Sequence, residues 1–107
     1  KDIHIGYPGN FDERNSIHET INRVAANDEI KLETQDNGFF LTNSGGQKIG
    51  KMADRFSIPD ECELVSTHVH AVISHSHART PVEYQNNVRC KEWEVVVPEF
   101  VYRKKEE

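Results

Sequence analysis

The stretch "EIKLETQDNGFFLTNSGGQKIGKM", residues 29 to 52, decides how this chain folds. Ile30 and Leu32 alternate with Lys31 and Glu33, the period-two pattern of a strand with one wet face. Asp36-Asn37-Gly38 follows, and these residue types tolerate the positive φ that tight hairpins need. "FFLTN" then reads as a second strand, Asn43-Ser44-Gly45-Gly46 as a second turn, and "QKIGK" as a third strand. The spacing predicts a β-meander.

The composition extends that reading to the whole chain. Val and Ile together number 18 against 3 Leu, and branching at Cβ suits a pleated surface better than a helix. At 107 residues the chain is expected to be one domain, residues 1–107, able to bury a core without staples. The expected fold is mainly β: an OB-like β-barrel or strongly bent antiparallel sheet with one or two short α-helices. Ile3 and Ile5 suggest a short first strand that breaks at Gly6-Tyr7-Pro8-Gly9. Ser16 and Glu19 have capping-box spacing, and Ile17, Ile21, Val24 and Ala25 recur at helical spacing, predicting a helix over 16–26. "MADRF" suits a short helical turn before Pro59. In "CELVSTHVHAVIS", strict alternation puts Val65, Val69, Ala71 and Ile73 on one face and Ser66, His68 and His70 on the other. "HSHARTPVEYQNN" reads as a loop, and "VRCKEWEVVVPEFVY" as the last strand, with Trp93, Val95 and Val97 on one face. Pro98 cannot donate to a ladder and marks an end, an edge or a bulge.

The net charge of −5 disfavours a broad grip on phosphate backbones but leaves room for a local basic groove. No run of eighteen apolar residues and no signal-like start is present, so the chain reads as soluble and cytoplasmic. Lacking an initiator Met, it reads as starting just inside its natural beginning or inside a longer parent. No catalytic motif stands out. There is no GxSxG and no phosphate loop, and neither Cys62 nor Cys90 sits beside an obvious base.

Four of the six histidines, His68, His70, His75 and His77, fall within ten positions. A metal site needs three or four donors converging on one point. Parity places 75 and 77 opposite 68 and 70 unless a bulge or turn intervenes near 72–74. The simpler reading puts His68 and His70 on a solvated strand face and His75 and His77 in a loop. No cofactor is then expected, with zinc on these histidines as the alternative.

Aromatic residues near basic ones are the remaining signal. Single strands are held by stacking platforms beside a cationic groove. Tyr7, Phe11, Phe39, Phe40 and Tyr84 are candidates for the first, and Lys48, Lys51, Arg55, Arg79 and Arg89 for the second.

The segment "IKLETQDNGFFLTNSGGQKIGKMADRF", preceded by a short helix and followed by long strands, resembles a HIRAN domain. The likeness spans residues 28–56. It rests on an acid-flanked I-x-L strand, an asparagine-containing turn, and a glycine turn leading to an x-[IV]-G step at Gly46, Ile49 and Gly50. HIRAN domains are OB-like β-barrels with two helices, found alone in bacteria or fused to helicase-type ATPases, and some recognise the 3′ end of single-stranded DNA. The resemblance implies a non-enzymatic module for single-stranded or damaged DNA, acting in repair beside a helicase-type ATPase. Tyr7 would match the stacking aromatic, Asp36 and Asn37 the asparagine-containing loop, and Lys51 the polar position after the "IG" step. Lys48 and Arg55 would join Lys51 as phosphate contacts. The family's N-P-Y-D core is replaced by "QDNGFF", and its second basic position by Asp54, with Arg55 one step on. Two other classes compete: a protein-interaction domain using a strand edge or the histidine face, and a histidine-based metal-binding protein.

Overall fold

The computed structural model describes residues 3–12, 14–35, 38–54, 56–80, 82, 85 and 88–105. Five strands form one antiparallel sheet that curls into a half-barrel. They are β1 (Glu29–Gln35), β2 (Gly38–Thr42), β3 (Lys48–Lys51), β4 (Cys62–Ser76) and β5 (Glu92–Lys104), in the spatial order β3-β2-β1-β4-β5. The first three strands are the expected meander. Gly38, at φ 125°, carries the first turn into β2. Asn43 holds the second: its side-chain oxygen accepts from the backbone N–H groups of Gly45 and Gln47 at 3.0 and 2.9 Å. The register sets Leu32 against Leu41 and Leu41 against Gly50, which stacks the apolar positions of the meander in one row.

The helix is shorter than its periodicity suggests. α1 covers Ser16–Asn22, and its N-cap is Asn15, whose side chain accepts from the Ile17 N–H at 2.9 Å. Ser16 is therefore the first helical residue rather than half of a capping box, and Glu19 pairs instead with Arg23. The helix cannot continue to residue 26 because Asp28 captures the Ala25 N–H and Asn27 turns to φ 74°, aiming its own N–H at the Val69 carbonyl. Val24 still packs against the core from this turn. Two other expectations also shrink. Ile3 makes only an isolated bridge to Met52, and what the described residues of "MADRF" show is the Phe56 N–H donating to the Ala53 carbonyl.

β4 departs from strict alternation. Its pairing with β5 slips between Leu64 and Ser66 and again between Val69 and Ala71, so Val65 and His70 are extra residues. Each slip exchanges the faces of the residues beyond it. Val69 is buried, but Val65 is 55% and Ile73 42% exposed, while Val72 packs on the core. Strict alternation put Val65, Ala71 and Ile73 on the face of Val69; the second bulge moves Ala71 and Ile73 off it, and Val65 is itself the extra residue of the first. His75 lies within the strand, opposite Trp93, rather than in a loop. Pro98 sits opposite Val69 at the second bulge on the sheet's edge strand. Val69 commits its N–H and C=O to Asp28 and Asn27, away from β5, so the position across from it requires no ladder donor.

The main core joins Ile17 and Ile21 of α1 to Ile30, Leu41, Ile49, Val69 and Val96 of the sheet. Four aromatic rings continue the main core, with Phe56 buried in it and Phe39 and Phe100 packed against it. Phe39 meets Phe56 edge-on at 5.3 Å, Phe56 lies at 5.3 Å from Phe100, and Phe100 at 6.2 Å from Tyr102. They tie β2 to the far strand β5. A second cluster forms around Trp93, Cys90 and Val95. Over it lies the N-terminal segment, residues 3–11. The Trp93 indole N–H donates to the Ile5 carbonyl at 2.9 Å, and the Arg89 N–H donates to the Gly9 carbonyl at 2.7 Å. At its other end, the His4 N–H donates to the Lys51 carbonyl at 2.8 Å. Only glycine fits at position 9, because a Cβ there would meet the Trp93 ring at 2.6 Å. Among the described residues, no helix is long and apolar enough to cross a membrane.

Candidate functional site

Three of the residues singled out in the sequence meet on one ring. Phe40 of β2 points to the face away from the main core, and it is only 6% exposed because other side chains lie over it. The Lys48 ammonium stands 4.2 Å and the Lys51 ammonium 5.5 Å from its centroid. Tyr7, from the N-terminal segment, meets the same ring at 5.9 Å, edge to face. Register explains the gathering: Lys51 is the cross-strand partner of Phe40, and Lys48 lies at the start of the same short strand. The bond from His4 to the Lys51 carbonyl then brings the N-terminal segment, and Tyr7 with it, alongside β3. Among the described residues neither lysine forms an ion pair. On the other side of Phe40, its β1 partner Glu33 is engaged by the Thr42 hydroxyl at 2.9 Å.

Tyr7 is half-buried, with Phe11 at 5.2 Å and His4 at 6.4 Å, and burial raises its phenol pKa. It therefore stays a neutral, partly accessible ring. Asp36, Asn37, Arg55 and Tyr84 lie outside the described residues. Phe39 belongs to the aromatic row packed against the main core, so it and Phe40 serve different faces. Arg79 and Arg89 lie at the β4–β5 junction.

The four clustered histidines do not converge. Among the described residues, no three His, Cys, Asp or Glu side chains form a group that could hold a metal ion. A bulge does occur, at His70, but its effect is to leave His70 exposed and to turn His75 onto Trp93, with ring centroids 5.2 Å apart. The Nδ1 atom of His68 is buried without a hydrogen-bond partner.

Burial, aided by the nearby Arg79 charge, lowers the pKa of His75 below its ordinary 6.5. The folded state thus binds this proton less readily than the unfolded chain. The stability it contributes is complete above pH 6.5 and is lost as pH falls through that value toward the folded pKa. His75→Phe keeps a ring against Trp93 but cannot titrate. Between about pH 7.5 and 5.5 the parent should lose more melting temperature than this variant. Equal losses would show that His75 titrates alike in both states.

One pairing carried no signal in the sequence. Cys90 and His18, 72 residues apart, bring Sγ and Nε2 to 3.3 Å. A cysteine beside a histidine suggests nucleophile chemistry, but both atoms also face the Phe11 carbonyl, at 3.0 and 3.2 Å. A carbonyl oxygen accepts hydrogen bonds and repels a thiolate, so this geometry suits a neutral S–H and an Nε2–H both donating to Phe11. The cavity beside them, about 360 Å³, is also lined by Glu92 and Glu94. The pair acts as a clip that fixes the N-terminal segment to α1 and to the start of β5.

No family model, curated protein or solved structure matches the chain.

Proposed function

We propose that the protein is a non-enzymatic module that binds single-stranded nucleic acid across the Phe40 face of the meander. The observation that carries this reading is the convergence of Tyr7, Lys48 and Lys51 on one aromatic ring. Two ammonium groups above a ring create a local positive field on a protein of net charge −5, enough for phosphate contacts but not for a broad basic footprint. The accessible part of Tyr7 supplies a flat surface beside them, the combination that tracks a single strand without reading its sequence. The likeness of residues 28–56 to HIRAN domains supports the same ligand class, with a helicase-type ATPase as neighbour.

Fluorescence anisotropy with a labelled single-stranded DNA tests it. Two phosphate contacts give a slope of about −1.4 in log K against log salt, so affinity falls about sevenfold between 50 and 200 mM salt. Lys48→Ala combined with Lys51→Ala should flatten that slope, and Tyr7→Ala should weaken binding at every salt concentration. Absence of binding at low salt removes this reading.

A further inference from the structure

We propose that the cleft between the N-terminal segment and the β4–β5 junction binds a phosphate monoester carried on an apolar group. This cleft, about 500 Å³, shares no lining residue with the Phe40 patch, which it adjoins through the ring contact of His4 with Tyr7, and lies within the size range of small-ligand sites. Three donor side chains line it from different parts of the chain: His4 of the N-terminal segment, His75 of β4 and Arg79 of the turn after that strand. Ile5, Ala53 and Val88 supply apolar wall between them.

Two of the donors, His75 and Arg79, are held before any ligand arrives. Trp93 fixes two walls at once, donating its indole N–H to the Ile5 carbonyl and meeting the His75 ring edge-on. One guanidinium nitrogen of Arg79 donates to the Ser74 carbonyl at 2.6 Å, which anchors that side chain at the end of β4 while its fork has further donors. Three separate donors suit the three peripheral oxygens of a phosphate monoester better than the two coplanar oxygens of a carboxylate. Asp54 also lines the cleft and repels an anion from its own side. The phosphate is thereby left to the imidazoles and the guanidinium, and Asp54 to accept from a hydroxyl or amino group on the ligand. Apolar wall with a few convergent polar groups is the usual make-up of a site that selects a small organic ligand.

Phenyl phosphate is the probe, with inorganic phosphate and benzoate as comparison arms, followed by amide shifts in NMR. Saturable shifts are expected at Ile5, His75 and Val88, with a dissociation constant on the order of 1 mM. Inorganic phosphate and benzoate, each lacking one of the two features, should bind on the order of tenfold more weakly. Arg79→Gln should also weaken phenyl phosphate on the order of tenfold, and His4→Gln supplies the same check from the N-terminal segment. The protein carrying Lys48→Ala and Lys51→Ala should bind phenyl phosphate unchanged, which separates this site from the Phe40 patch. The proposal is overturned by any of three results: no saturable shifts around the cleft, an affinity indifferent to both Arg79→Gln and His4→Gln, or either comparison compound matching phenyl phosphate.

Discussion

Trp93→Ala is expected to destabilise the protein by about 3–5 kcal/mol, the range for removing a large buried aromatic ring. Trp93 is 4% exposed and does three jobs at once. It fills the second core cluster, donates to Ile5, and forms the surface on which Gly9 rests without a Cβ. Truncation leaves a cavity and also strips the Ile5 carbonyl of its donor, so the N-terminal segment loses its central attachment. For a domain near one hundred residues, each kcal/mol moves the melting temperature by roughly 4 °C, so the midpoint should fall by at least about 12 °C. Urea unfolding followed by circular dichroism measures the loss. Limited proteolysis adds an independent readout, because cleavage within residues 3–11 should become faster at temperatures where the sheet is still folded. A loss below about 1 kcal/mol would mean that the segment does not depend on the indole.

The resilience of that segment to partial loss depends on contacts that the chain order hides. Ile5 and Trp93 are 88 residues apart, and Cys90 and Phe11 are 79 apart. Neither pair has any local pattern that would announce it. The meander was legible because its determinants are local: Gly38 at the first turn, Asn43 at the second, and alternation between them. The convergence of Lys48 and Lys51 on Phe40 follows from that register once the turns are known, so this half of the patch was within reach of the sequence. Tyr7 joins it through long-range attachments of the N-terminal segment, such as His4 to Lys51 and Ile3 to Met52, which no spacing dictates. Val96 illustrates a signal that was available. In "VVV" over 95–97, Val95 and Val96 are both essentially inaccessible, as in a strand covered on both faces, where continuous apolar runs replace alternation. The helix failed at its C-terminal end because a single side chain, Asp28, competed for the Ala25 N–H.

The bulge at His70 makes a claim about faces that two substitutions can settle. Without it, Ile73 shares a side with Val69 and belongs in the core; with it, Val72 takes that place. Neither glycine nor proline marks the site on β4 itself, and the reason for a bulge lies across the sheet, where Pro98 stands. The Val69 N–H and C=O are committed to Asp28 and Asn27, while the opposite residue, Pro98, has no N–H to offer. An extra residue at 70 lets the β4–β5 ladder resume with Ala71 against Val97 and adds local twist that helps the sheet curl. Val72→Asp forces a carboxylate against the core packed by Val69 and Val96, whereas Ile73→Asp places one at a position already 42% exposed. Both variants carry the same penalty of about 1 kcal/mol for aspartate in a strand, so their difference reports the face alone. Val72→Asp should be less stable than Ile73→Asp by about 2 kcal/mol or more, the cost of an unpaired polar group in apolar surroundings. Chemical denaturation of the two proteins side by side measures it. The reverse order would place Ile73 inside, remove the second bulge, and return His70 and His75 to opposite sides of an unbroken strand.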